Sequence, residues 1–109
     1  MTYREAVEKL KGKTQRKIGN NTWLIDRGGS IAVKLHQTDV VTFYPCGSVK
    51  LDSGGWRTVT TKARINEYAE EVRVYQKKHQ WYVATKLIGL PGYDWDNPIE
   101  YYDGIITKQ

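Results

Sequence analysis

Thr22-Trp23-Leu24-Ile25-Asp26-Arg27-Gly28-Gly29-Ser30-Ile31-Ala32-Val33-Lys34-Leu35 decides the fold. Two runs rich in β-branched and aromatic residues flank a Gly-Gly pair, which supplies the positive φ angles of a tight turn. This predicts a β-hairpin with Ile31, Val33 and Leu35 on one face. The pattern then repeats. Val40-Val41-Thr42-Phe43-Tyr44 runs into the turn signal Pro45-Cys46-Gly47, and Ser48-Val49-Lys50-Leu51-Asp52 returns. Four strands in two hairpins follow, with His36-Gln37-Thr38-Asp39 as the connector.

Upstream, Thr2-Tyr3-Arg4-Glu5 reads as a capping box, and Tyr3, Ala6, Val7 and Leu10 recur at helical spacing until Gly12. A short helix over about residues 3–11 is expected, ending in the basic segment Lys9, Lys11, Lys13, Arg16 and Lys17. Downstream, Ser53-Gly54-Gly55 breaks the strand. Thr60 or Thr61 then caps a second helix running to about Glu71, with Ala63, Ile65, Tyr68 and Ala69 as its buried stripe. A third hairpin pairs Val72-Arg73-Val74-Tyr75-Gln76 with Trp81-Tyr82-Val83-Ala84-Thr85. Tyr102-Asp103-Gly104-Ile105 suggests a closing hairpin. The order αββββαββ is that of an α+β domain with an antiparallel sheet, because helices and strands do not alternate as in parallel α/β folds. Helices cover one face of the sheet and leave the other to a partner.

With 109 residues the chain fits a single domain spanning 1–109. No apolar run approaches the roughly 20 residues needed to cross a bilayer, and the N-terminus lacks the apolar stretch of a secretion signal. Cys46 is the one cysteine, so no internal disulfide is expected and a reducing compartment is natural. His36, His79 and Cys46 lie at no metal-ligand spacing, so neither a metal nor a cofactor is expected. The net charge of +5 is uneven. Residues 1–64 hold twelve Lys/Arg against five Asp/Glu, whereas residues 65–109 hold five against seven. The positive half would attract phosphates or simply aid solubility.

Gly54 to Arg64 is the most informative stretch for chemistry. The glycines let backbone approach a ligand closely, and the start of the following helix favours an anion. Arg57, Lys62 and Arg64 add charge, Thr58, Thr60 and Thr61 add hydroxyls, and Trp56 offers a stacking face. The expected ligand-binding set is Gly54, Gly55, Trp56, Arg57, Thr58, Thr60, Thr61, Lys62 and Arg64. The structural alternative is a loop–helix junction whose threonines cap, whose Trp56 fills the core and whose charges are solvated. His36 with Asp39 could form a general base and its orienting partner, with Arg57 stabilising charge, as a small nuclease needs. Asp39 as a turn cap and His36 as a loop residue is the structural counterpart. Lys13, Arg16 and Lys17 with Asn20, Asn21 and Trp23 mix cations, amides and a ring, as nucleic-acid surfaces do. Tyr93, Trp95, Tyr101 and Tyr102 lie among acids and suit packing or a subunit interface.

Asn20-Asn21-Thr22-Trp23-Leu24, Leu35-His36-Gln37-Thr38-Asp39-Val40-Val41-Thr42-Phe43 and Gly54-Gly55-Trp56-Arg57-Thr58-Val59-Thr60-Thr61-Lys62 resemble a family of small proteins encoded by tailed bacteriophages and found in viral metagenomes. The resemblance spans about residues 14–68 and implies a phage accessory protein made in the cytoplasm of the infected bacterium. It carries no catalytic or binding role to any residue. The reading that joins these features is a non-enzymatic protein that binds a phosphate-bearing ligand, a nucleotide or nucleic acid, including a signalling nucleotide of host defence. A small nuclease is one alternative. An inhibitor of a host protein, or a structural phage component, is the other. The expected partners are thus a nucleotide, a nucleic acid or a host protein, with no membrane, and a homo-oligomer is plausible for a domain this small.

Overall fold

In the computed structural model, which describes residues 1–108, the element order is α1 (Tyr3–Leu10), β1 (Gln15–Gly19), β2 (Thr22–Asp26), β3 (Ile31–Leu35), β4 (Thr38–Phe43), β5 (Ser48–Leu51), α2 (Val59–Tyr68), β6 (Val72–Lys77), β7 (Gln80–Thr85), β8 (Ile99–Glu100) and β9 (Ile105–Lys108). The α+β class holds. All strand pairs are antiparallel, in a six-stranded sheet ordered β1-β2-β3-β4-β5-β9 and a three-stranded sheet ordered β6-β7-β8.

The expected connector between hairpins is a two-residue turn, because Thr38 and Asp39 already belong to β4. His36 takes the left-handed conformation there (φ 54°), and Asn21 does the same between β1 and β2 (φ 53°). The basic segment is a correction. Gln15–Gly19 forms a strand, although its only apolar residue is Ile18. It lies at a sheet edge, so pairing with β2 rather than burial defines it. The closing hairpin is a second correction. The turn exists, with Ile105 N donating to Tyr102 O at 3.2 Å. Its two strands part, however: β8 joins β7 and β9 joins β5. The tail therefore ties the two sheets together.

Both helices follow from their caps. In α1 the Thr2 hydroxyl accepts from Glu5 N at 3.2 Å and Glu5 Oε1 accepts from Thr2 N at 3.0 Å. That capping box is worth about 1 kcal/mol. Ala6 and Leu10 are buried, while Val7 points outward. The cap of α2 is Thr58 rather than Thr60 or Thr61, since Thr58 Oγ1 accepts from Thr61 N at 3.1 Å. The buried stripe is then Thr61, Ile65 and Tyr68 at helical spacing, and Ala63 falls on the exposed side.

Strand register gathers Leu24, Val33, Val41 and Leu51 into one row, and each is fully buried. The small sheet contributes Val72, Val74, Trp81 and Val83 to the same core, with Ala6 and Leu10 of α1 and Ile65 of α2. Each such aliphatic side chain stabilises the fold by about 1.5–3 kcal/mol. One broad face of the six-stranded sheet thus rests on the core, with α2 leading away from the end of β5.

Candidate functional site

The loop from β5 to α2 is held from several sides. Asp52 Oδ1 accepts from Gly54 N at 2.7 Å and Ser53 Oγ accepts from Gly55 N at 3.2 Å. Trp56 N donates to Ser53 O at 3.0 Å and Thr58 N to Trp56 O at 2.9 Å. The amides of Gly54, Gly55, Trp56 and Thr58 are therefore engaged within the loop, which narrows the anion cradle read from the sequence. Among the described residues, the amides of Arg57, Val59 and Thr60 have no protein acceptor. Those of Val59 and Thr60 form the first turn of α2, where the helix dipole favours negative charge.

Gly54 has a φ of +62°, and a Cβ there would collide with Thr38 Oγ1 and come within 2.9 Å of Thr38 Cγ2. The loop thus lies directly on the β3–β4 turn. This contact brings together the two constellations that are separate in sequence. Between them opens a cavity of about 520 Å³. Leu35, Val40, Ser53 and Thr61 line it as buried residues, while His36, Gln37, Trp56 and Thr60 are exposed at its mouth. Thr38 and Thr58 complete the lining. Trp56 keeps 70% of its surface exposed, so its indole is not wedged into the core. The volume is within the usual range for small-molecule sites, roughly 300–1,000 Å³.

The basic residues of the expected set lie elsewhere. The Arg57 guanidinium stacks over Tyr101, 5.1 Å from the ring centroid, and reaches Trp81 at 5.9 Å. Lys62 Nζ lies 5.7 Å from the Trp81 ring. Arg64 Nε donates to Thr22 Oγ1 at 3.1 Å, which fastens α2 to β2. None of the three, nor Gly54 or Gly55, lines the cavity. Among the described residues, the cavity wall holds neither Lys nor Arg.

Behind the loop, Asp103 accepts three hydrogen bonds on Oδ1: from Ser53 N (2.9 Å), Ser53 Oγ (2.6 Å) and Tyr101 Oη (2.8 Å). Burial opposes ionisation of Asp103. The bonds from Ser53 and Tyr101, with the nearby Arg57 charge, outweigh it and hold the carboxyl below its ordinary range. Burial and the Asp103 charge push the Tyr101 phenol well above its ordinary range. Asp39 is gripped by Arg27 through two bonds of 2.8 and 3.1 Å, and the described hydrogen bonds do not join it to His36. Leu35, Gln37, Thr38, Val40 and Ser53 belong to the cavity without having been read as binding residues. Only the Gly54–Thr38 contact brings them in, and no local pattern announces a contact across sixteen residues.

In the tail, Tyr101 is buried against Trp81, whereas Trp95 and Tyr102 remain exposed. No helix among the described residues is long and apolar enough to cross a membrane. Beyond the geometry, a sequence profile described as Kyanoviridae Gp96 protein matches residues 2–108. The chain belongs to the Kyanoviridae Gp96 family. It is therefore a phage accessory protein, in line with the resemblance carried by residues 14–68, and the match extends to nearly the whole chain. No curated protein and no solved structure matches this family member.

Proposed function

We propose that this phage protein binds a nucleotide in the cavity between the β3–β4 turn and the start of α2, and performs no chemistry on it. One observation carries the reading: a cavity of about 520 Å³ sets the exposed Trp56 indole beside the first turn of α2. An apolar interior suits a base, and the indole offers it a stacking face. The amides of Val59 and Thr60 and the hydroxyl of Thr60 suit an anion. Without a cation in the wall, that end suits one phosphate group better than a triphosphate. Nucleoside monophosphates and cyclic nucleotides of the infected cell's cytoplasm, defence signals among them, fit this description. Arg57, Lys62 and Arg64 serve the fold in this reading, and Gly54 closes the loop on Thr38.

Titration calorimetry with AMP, cyclic AMP and ATP tests it. The expected result is saturable binding of the two monophosphates, weakened about tenfold by Trp56→Ala through loss of stacking. Absence of binding by all three, or unchanged affinity in the variant, contradicts it.

A second reading has its own observation. Tyr75 stacks on Tyr82 (5.7 Å) and meets Trp95 edge-on (5.3 Å), and Ile88 and Leu90 nearby in sequence are exposed. This aromatic face favours an inhibitor of a host protein or a structural phage component. It predicts a complex that survives high salt.

A further inference from the structure

The six-stranded sheet has a second broad face, opposite the core, and its composition differs from that of the cavity. Register fixes its membership, because paired residues share a face and successive residues alternate, except at the bulge in β4, where Val40 and Val41 both turn to the core. Lys17, Trp23, Lys34 and Asp39 pair in one row across β1, β2, β3 and β4. Ile25, Ala32, Thr42, Lys50 and Ile106 pair in the adjacent row across β2, β3, β4, β5 and β9. The core lies on the other side, with Leu24, Val33 and Leu51, and both helices bury their apolar residues there. On this face Trp23 keeps 38% and Ile106 57% of their surface exposed and Lys17 is exposed, Lys34 and Lys50 are half-buried, and the small side chains of Ala32 and Thr42 are buried.

Charge on this face is one-sided. Asp39 is the one acid in the two rows, and Arg27 neutralises it through two hydrogen bonds. Lys17, Lys34 and Lys50 form no ion pair among the described residues. Trp23 stands between Lys17 and Lys34. With strands about 4.8 Å apart, those two lysines start about 10 Å from each other, with the indole midway. A cation, a ring and a cation in line match a polymer that alternates phosphates with flat bases.

We propose that this open face binds single-stranded nucleic acid, with a base stacked on Trp23 and phosphates held by Lys17, Lys34 and Lys50. A duplex keeps its base faces stacked internally and leaves the indole without a partner, so the single strand is the fitting occupant. The sheet spans about 24 Å from first to last strand, enough for roughly four nucleotides. This surface is distinct from the cavity and stands whether or not the cavity takes a nucleotide.

Fluorescence anisotropy of a labelled oligothymidylate with the full chain tests the proposal. The expected result is binding at low salt that weakens with a log–log salt slope of about −2, the value for three phosphates on a single strand. The triple substitution Lys17→Gln, Lys34→Gln, Lys50→Gln weakens binding about tenfold or more and flattens that slope. Trp23→Ala weakens it about tenfold and leaves the slope unchanged, because stacking is not ionic. Lys78→Gln, at the turn of the other sheet, leaves binding as it was. No binding at low salt, or a triple variant that binds like the parent with its fold intact by circular dichroism, overturns the proposal. Binding to anionic lipid vesicles in place of the oligonucleotide overturns it as well.

Discussion

At the scale of single residues, Gly54 does more than any other to shape the candidate site. Its φ of +62° lies in the left-handed region, and Thr38 occupies the space where a side chain would sit. Gly54→Ala therefore combines backbone strain with a steric clash against a branched side chain. The expected loss is roughly 2–4 kcal/mol of unfolding free energy, read by urea denaturation. Gly55, with open space around it, needs glycine only for its φ of +84°. From the sequence the pair looks alike, and both are expected near a ligand. The difference lies in a contact with Thr38, which no reading of neighbours along the chain supplies. Trp56, Thr58, Thr60 and Thr61, singled out in the sequence, line the cavity for a local reason: the loop and the helix start that carry them leave local signals. Arg57, Lys62 and Arg64 were not placed by such signals, because a long cation can turn either toward a ligand or back onto the protein's own rings.

At the scale of elements, β2 to β5, the β6–β7 hairpin and both helices follow from alternation, turn residues and caps. β1 was not legible, since an edge strand of Gln, Arg and Lys carries no alternating apolar signal. The edge of β6 shows another device hidden from sequence. The Asn66 side chain donates to Val74 O at 2.9 Å and accepts from Val74 N at 2.8 Å, standing in for a neighbouring strand. The link between the β8–β9 turn and the β5–α2 loop runs through Asp103, and it is pH-dependent. The Asp103 carboxyl titrates below its ordinary value in the folded state. Its contribution is thus present above about pH 4, the unfolded value, and lost as pH falls through the lower folded value. Denaturant melts at neutral pH and below pH 4 check this. The Asp103→Asn variant is expected to be less stable than the parent at neutral pH, with the gap closing in acid. An equal gap at both pH values speaks against the link.

At the scale of the whole molecule, the positive half read from the sequence is α1, β1 to β5, the connecting loop and the first part of α2. The acidic half is mostly the small sheet and the tail. The class of the fold was legible because hairpins are local. The partition into two sheets was not, because β9 crosses from the end of the chain to pair with β5. Likewise the cavity arises only when a turn and a helix start from different parts of the chain close on each other. The central claim is that this closure makes a nucleotide site. An amide-correlation NMR titration of the isotope-labelled protein with AMP tests it most directly. The account predicts saturable shifts gathered at the Trp56 indole N–H and at the backbone amides of His36, Val59 and Thr60. A spectrum that does not move, or one whose shifts lie away from these groups, contradicts it.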